Sequence, residues 1–254
     1  MKEKVLYTER FIQFGEGGFL RGFADWMIQK MNEQADFDAS VVVVQPIEKG
    51  MCDMLTAQDC MYTHIIRGAE GVEKTVCRVI SRTVKPYDDF DAYIALAKNP
   101  DFRFIISNTT EAGIVYDPAC AFTDKPAASF PGKLTQVLYA RYQAGKKGII
   151  MLACELIDNN GKELLKCVNQ YIDQWGLEEG FKNYVNNECA FCGSLVDRIV
   201  PGRIRDAAEV AALEEKHGYA DPLLDVGEVF GLWVIEGDAS LTDKLPFHAA
   251  GLDE

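Results

Sequence analysis

A short apolar run, Phe11-Ile12-Gln13-Phe14, passes directly into Gly15-Glu16-Gly17-Gly18. The glycines pass directly into Phe19 to Gln34, where Phe19, Phe23, Trp26, Met27 and Met31 recur at helical spacing. Strand, glycine turn and helix in that order, this close to the N-terminus, constrain the chain more than any other feature. They read as the first βα unit of a sheet whose later strands run parallel. The glycines also carry a chemical reading. Glycine lets a backbone come close to a pyrophosphate, and the free amides and dipole at a helix start favour an anion. The turn is therefore expected to hold a dinucleotide; the bland alternative is a plain tight turn. The third glycine of a G-x-G-x-x-G pattern is replaced by Leu20, and a small residue returns only at Gly22. Arg21 in the first helical turn opposes the dipole by about 0.3–1 kcal/mol, which an anion nearby would offset; otherwise it is an exposed side chain.

The remainder of the chain continues the alternation. Ser40 to Gln45 is a β-branched run apolar on both faces, as a buried parallel strand requires. Tyr62 to Arg67 and Val72 to Thr83 read as two strands of an inserted hairpin around the turn Gly68 to Gly71. Tyr87 to Lys98 is expected to be a helix, Phe102 to Ser107 a strand, Pro131 to Ala144 a helix and Gly148 to Ala153 a strand. Beyond them come a helix from Lys162 to Trp175 capped by the Asn159-Asn160-Gly161 turn, helical structure from Phe181 to Ile199, a surface helix from Asp206 to His217, and a last strand from Gly231 to Glu236. The fold class is thus α/β: a doubly wound, mostly parallel Rossmann-like sheet with an inserted β-hairpin. Ligands of such sheets bind outside the carboxyl ends of the strands. That rule selects Gly15 to Gly18, Gln45, Asn108 to Gly113 and Cys154-Glu155. The second strand ends on Gln45 rather than on the acid that commonly meets a ribose; Gln45 can bond a hydroxyl, and Glu48 and Lys49 are near. Spacing alone leaves NAD and NADP both open.

Composition narrows the partners. The formal charge of −13 argues against nucleic acid and anionic membranes. No apolar run approaches the roughly 20 residues of a membrane span, and Met1 to Arg10 is no signal peptide, so a cytoplasmic protein is expected. Eight cysteines are then expected to be reduced. Cys189 and Cys192 form a CxxC without a second pair or a nearby His; no metal site is expected, and the pair is expected to be buried in a helix.

Taken together, the segments resemble the mannitol dehydrogenase family of long-chain polyol and sugar-acid dehydrogenases. The motifs that carry the resemblance are FGEGGFLRG (Phe14 to Gly22), SNTTEAGI (Ser107 to Ile114), CELIDNNG (Cys154 to Gly161), FCGSLVDRIVP (Phe191 to Pro201) and LWVIEG (Leu232 to Gly237). They are most similar to the altronate oxidoreductase (tagaturonate reductase) branch, which implies reduction of D-tagaturonate to D-altronate with NADH. Fructuronate reductase or a mannitol-type enzyme is the alternative, and a dinucleotide-binding module without catalysis is the alternative of another class. The resemblance implies NAD as cofactor, held by Ile12, Gln13, Phe14, Gly15, Glu16, Gly17, Gly18, Phe19, Leu20, Arg21, Gly22, Gln45, Asn108, Thr110 and Glu111. A small hexuronate or aldonate would be the substrate, with Glu155 and Asp197 the carboxylates nearest to it.

Two departures matter. Mannitol-type enzymes carry an Asn where this chain has Leu156. The family's catalytic lysine also belongs to a K-x-R-x-x-x-L-N-G-x-H motif opening a second, helical domain, and that motif does not occur here. The expectation is one NAD-binding domain over residues 1–254, without the helical domain and with no catalytic residue of its own. The face that would meet the second domain, including parts of Val185 to Pro201 and Leu232 to Ile235, is expected to be exposed and to favour self-association.

Overall fold

The computed structural model describes residues 4–69 and 71–252; Glu70, inside the expected hairpin turn, lies outside them. In chain order the elements are β1 (Glu9–Phe14), α1 (Gly18–Gly22), α2 (Ala24–Gln34), β2 (Ser40–Val44), α3 (Cys52–Ala57), β3 (Tyr62–Gly68), β4 (Gly71–Cys77), β5 (Ile80–Val84), α4 (Phe90–Ala95), β6 (Phe104–Ser107), α5 (Phe130–Gln143), β7 (Ile150–Ala153), α6 (Asn160–Gln174), α7 (Glu179–Asn183), β8 (Ala190–Cys192), β9 (Ser194–Asp197), α8 (Ala207–His217), β10 (Asp225–Glu228), β11 (Leu232–Ile235) and α9 (Ser240–Lys244).

Six strands form the main sheet in the order β5-β2-β1-β6-β7-β8, every neighbouring pair parallel. From β1 the chain winds outward through β2 to β5, then returns to β6 on the other side of β1. The order therefore reverses between β1 and β6, the place where such sheets open a crevice for ligands. Strand alternation sends Phe11, Val41, Val43, Phe104 and Ile106 into one core and Ile12, Phe14, Val42, Val44 and Ile105 into the other. Helices α1 and α2 cover the first face, α5 and α6 the second. This is the doubly wound Rossmann-like sheet expected from the sequence.

Several segments depart from expectation. The helix read as Phe19 to Gln34 is two helices, broken at Phe23 (φ −123°, ψ −85°). The apolar spacing runs unbroken across the joint because Leu20, Phe23, Met27 and Met31 all enter one core. The hairpin exists, as β3 and β4, but Val72 to Thr83 is not one strand. It divides after Cys77, and β5 leaves the hairpin to become the edge of the main sheet beside β2. The hairpin gains β10 as a third strand, parallel to β3, which the sequence reading missed.

The stretch Phe181 to Ile199 is largely not helical. After α7 and one wide turn at Tyr184–Glu188 it becomes β8 and β9. Short apolar runs do not distinguish strand from helix by period. The tertiary reason is the bare edge of β7, to which β8 adds through Ile150, Met151 and Leu152. Gly148 admits this approach, since a Cβ there would lie 1.9 Å from the Glu188 carbonyl oxygen. β11 pairs antiparallel with β9 in a separate two-stranded sheet. Asp206 caps the exposed α8 by accepting from the amides of Ala208 and Glu209.

Candidate functional site

The glycine turn stands at the carboxyl end of β1, at the switch point. The Gly15 amide donates to the Val44 carbonyl (3.2 Å), extending the ladder by one step. Gly15 lies at φ +118°, and a Cβ there would press to 3.0 Å from the Asn108 carbonyl oxygen. Backbone and neighbour thus both demand glycine. Gly22 is required for another reason: a Cβ would meet His64 at 2.8 Å, with Asp225 and Val200 at 3.1 Å. The small residue missing at Leu20 thus returns where α1 crosses the β3–β10 sheet, and Leu20 fills the core. Gly17 differs from both. Its backbone is ordinary (φ −67°, ψ 165°), it is exposed, and nothing lies within 4 Å of where its Cβ would stand. No contact among the described residues explains a glycine there.

Arg21 is buried behind the turn and is not the exposed side chain considered above. Its Nε donates to the Glu16 carbonyl (3.2 Å) and its Nη1 to the Leu223 carbonyl (2.5 Å), and the guanidinium lies 5.1 Å from the Tyr62 ring centre. It ties the glycine turn to the segment before β10. Gln13 donates to the Gly15 carbonyl (3.0 Å) and to Asp25 (3.3 Å). Burial pushes the Asp25 carboxyl up to about 7, against the Gln13 hydrogen bond and the Arg21 charge. Ile12, Phe14 and Leu20 are core residues. With Gln13 and Arg21 they support the turn from beneath and present almost no surface to a ligand.

Gln45 is also committed internally. It is 4% exposed, and its amide donates to the Ile47 and Glu48 carbonyls (3.0 and 3.1 Å) while accepting from the Cys52 amide (3.3 Å). The Gln45 amide, expected to bond a ribose hydroxyl, here closes its own loop. The Glu16 carboxylate lies against this loop and accepts from the Met51 amide (3.2 Å). Burial raises it above the usual carboxylate range.

On the other side of the switch point, Asn108 donates to the Cys154 carbonyl (2.7 Å). Glu155 was expected to face the cleft. It is instead buried, with Ser107 Oγ on Oε2 (3.0 Å) and the Thr109 amide and hydroxyl on Oε1 (3.0 and 2.9 Å). Desolvation raises its carboxyl and these donors oppose the rise. Its place in the molecule is to fix the 107–109 segment. Gly113 closes the loop, its amide donating to the Thr110 carbonyl (2.9 Å). An open cleft of about 510 Å³ remains here, lined by Phe19, Asn108, Thr110, Glu111, Ala112 and Leu156. Phe19, Asn108, Thr110 and Glu111 stand among the residues expected to hold the cofactor, and Ala112 lies within the selected Asn108 to Gly113 segment. Leu156, noted only as a departure, stands largely exposed at the rim.

Asp197 is exposed on β9, paired across to Leu232, and does not line this cleft. Its neighbour Arg198 bonds elsewhere, to the Glu228 and Gly22 carbonyls, and stacks 4.4 Å over Trp26. Cys189 and Cys192 flank and end β8 rather than sitting in a helix, and burial raises both thiols. The sequence reading missed two polar residues. Asn160 clamps the loop after β7 to the start of β9 through the Glu155 and Ser194 carbonyls and the Ser194 amide. Within the expected capping turn, Asn159 stands at the cap position and makes no side-chain capping bond. Lys133 is fully buried, donates to Tyr87 Oη and the Ala128 carbonyl, and is pushed down to about 8 by desolvation. A lysine on a helix gives no sequence signal of such burial.

Residues 9–248 match the family model described as the mannitol dehydrogenase Rossmann domain. An altronate oxidoreductase of Phocaeicola vulgatus is 51% identical over 261 residues, covering 98% of this chain and 53% of that protein. Those of Bacteroides thetaiotaomicron and Bacillus subtilis are 48% and 47% identical, covering 98% and 97% of this chain and 53% and 52% of theirs. The chain thus spans about half the length of the curated relatives it matches. A D-sorbitol dehydrogenase in substrate-free form superposes with a TM-score of 0.81 at 21% identity, covering 97% of this chain and 53% of that one. The Pseudomonas fluorescens mannitol 2-dehydrogenase, in a ternary complex with NAD and D-mannitol, gives 0.79 at 22%, covering 91% and 50%. At these identities the two structures speak to the fold.

Proposed function

Because the chain belongs to the mannitol dehydrogenase family through its Rossmann domain, we propose that it is the cofactor-binding part of an NAD-dependent sugar-acid oxidoreductase that reduces D-tagaturonate to D-altronate. Gly17 carries the cofactor reading. It is a glycine that neither its dihedrals nor its neighbours require, exposed at the switch point of the sheet. A ligand that must approach the backbone supplies the reason. The residues fit such a ligand. Gly15 to Gly18 would meet the pyrophosphate, and Phe19, Asn108, Thr110, Glu111 and Leu156 would line the half of the dinucleotide nearest β6 and β7. Bound there, NADH supplies the hydride.

The chain's own residues bind and orient. Glu155 holds the 107–109 segment in place, Asn160 holds the neighbouring loop, and Leu156 keeps one wall apolar. Among the six lining residues Glu111 alone carries an acid–base side chain. The substrate assignment rests on the likeness to altronate oxidoreductases; D-fructuronate is the runner-up. The restricted lining also favours a second reading, a dinucleotide-binding module without turnover. Both are tested by following NADH fluorescence on titration of the protein, then absorbance after adding D-tagaturonate or D-fructuronate. Saturable NADH binding supports the cofactor site. Preferential oxidation with D-tagaturonate supports the full proposal, and binding without turnover supports the second reading. No binding by a folded protein would overturn both.

A further inference from the structure

Resting on the dinucleotide reading above, the geometry points to Glu16, from the glycine turn itself, as the acid that selects NADH over NADPH by meeting the adenosine ribose hydroxyls. In sheets of this order the adenosine half lies over the side of the second strand, and an acid at that strand's tip commonly bonds the ribose. Here the second strand ends in Gln45, whose amide is spent on Ile47, Glu48 and Cys52. The only acid of the following loop, Glu48, is exposed and sits beside Lys49, of opposite charge.

Glu16 fills the gap from the neighbouring strand. Its carboxylate crosses from the end of β1 to the β2 tip and is held by the Met51 amide. Gly50 exists to admit it: a Cβ at residue 50 would stand 2.0 Å from Glu16 Oε1 and 2.8 Å from the Gln45 amide group. The carboxylate is therefore seated, and at 7% exposure it is poorly screened by solvent. A ribose diol can donate to it. A 2′-phosphate brings a second negative charge to the same place and is repelled.

The test measures dissociation constants of NADH and NADPH, by fluorescence, for the wild-type protein, Glu16→Gln and Lys49→Gln, with thermal melting as a folding control. Glu16→Gln keeps the size of the side chain and an acceptor for the Met51 amide. The wild type is expected to bind NADPH about tenfold to a hundredfold more weakly than NADH, the range of one charged hydrogen bond. In Glu16→Gln that ratio falls to within about threefold, chiefly through tighter NADPH binding, whereas Lys49→Gln leaves the preference for NADH in place. An unchanged ratio in a folded Glu16→Gln protein, equal affinities in the wild type, or a shift confined to Lys49→Gln overturns the assignment. A folded wild type that binds neither cofactor overturns the dinucleotide reading and this assignment with it, and is recognised by the wild-type arm alone.

Discussion

Every residue of β2 from Ser40 to Val44 is buried on both faces, whereas in β11 Leu232 and Val234 stand 39% and 49% exposed. Both are short apolar strands. The difference lies in what covers them. In the main sheet helices pack on each face, so alternate residues enter two separate cores. In the β9–β11 pair only Val196, Trp233 and Ile235 reach a core, and Leu195, Leu232 and Val234 face outward, with Ile199, Val229 and Phe230 also exposed nearby. Contiguous exposed apolar surface of this kind marks an interaction face more often than a finished one. The comparison separates a region whose side chains are buried on both faces from one whose outward face is apolar and exposed, and it is open to direct test.

The largest contrast is expected from matched truncations. Phe104→Ala, which removes a fully buried ring stacked 4.7 Å from Phe11, should cost about 3–5 kcal/mol in urea unfolding. Val234→Ala should stay within about 0.5 kcal/mol. Similar losses at both positions would erase the distinction.

A second contrast concerns buried charge. Asp25 is held up to about 7 by burial. Between its ordinary value near 4 and about 7 the folded protein keeps a proton that the unfolded chain has released, so this group's contribution to stability falls as pH rises through that window. His64, pushed down to about 3 by burial, acts in the opposite direction below its ordinary 6.5. Comparing Asp25→Asn with the wild type isolates the aspartate. The variant should gain relative stability from pH 4 to 7, by up to about 4 kcal/mol, read from urea midpoints. A flat difference would show that the carboxylate stays ionised within the fold.

The smallest effect on stability belongs to the open face. Leu195→Lys and Val234→Lys should each leave the unfolding midpoint nearly unchanged, yet lower the mass measured by light scattering if copies meet through this surface. A wild type that is monomeric across the micromolar range removes self-association as the use of this face.

The same contrast explains what the sequence disclosed. β2, β6 and β7 are continuous apolar runs ended by polar residues, and their place at the centre of a parallel sheet follows from that pattern. β8, β9 and β10 have three or four residues each and exist because an open edge or a neighbouring strand accepts them, a cause outside their own sequence. At the site, the glycine turn and the 108–111 loop were legible from glycine spacing and strand ends. The inward turn of Arg21, Gln45 and Glu155 was not. Each satisfies carbonyls, amides or hydroxyls that only the folded loops bring together.

If a dinucleotide lies in the open space over Gly17, a side chain placed there by Gly17→Val should exclude it. Nothing within 4 Å opposes a side chain there, and the backbone dihedrals suit any residue. The variant should therefore melt with the wild type while its NADH affinity, followed by fluorescence titration, falls at least about tenfold, the loss of more than 1.4 kcal/mol. A folded Gly17→Val protein that binds NADH as tightly as the wild type would mean that no dinucleotide lies over Gly17.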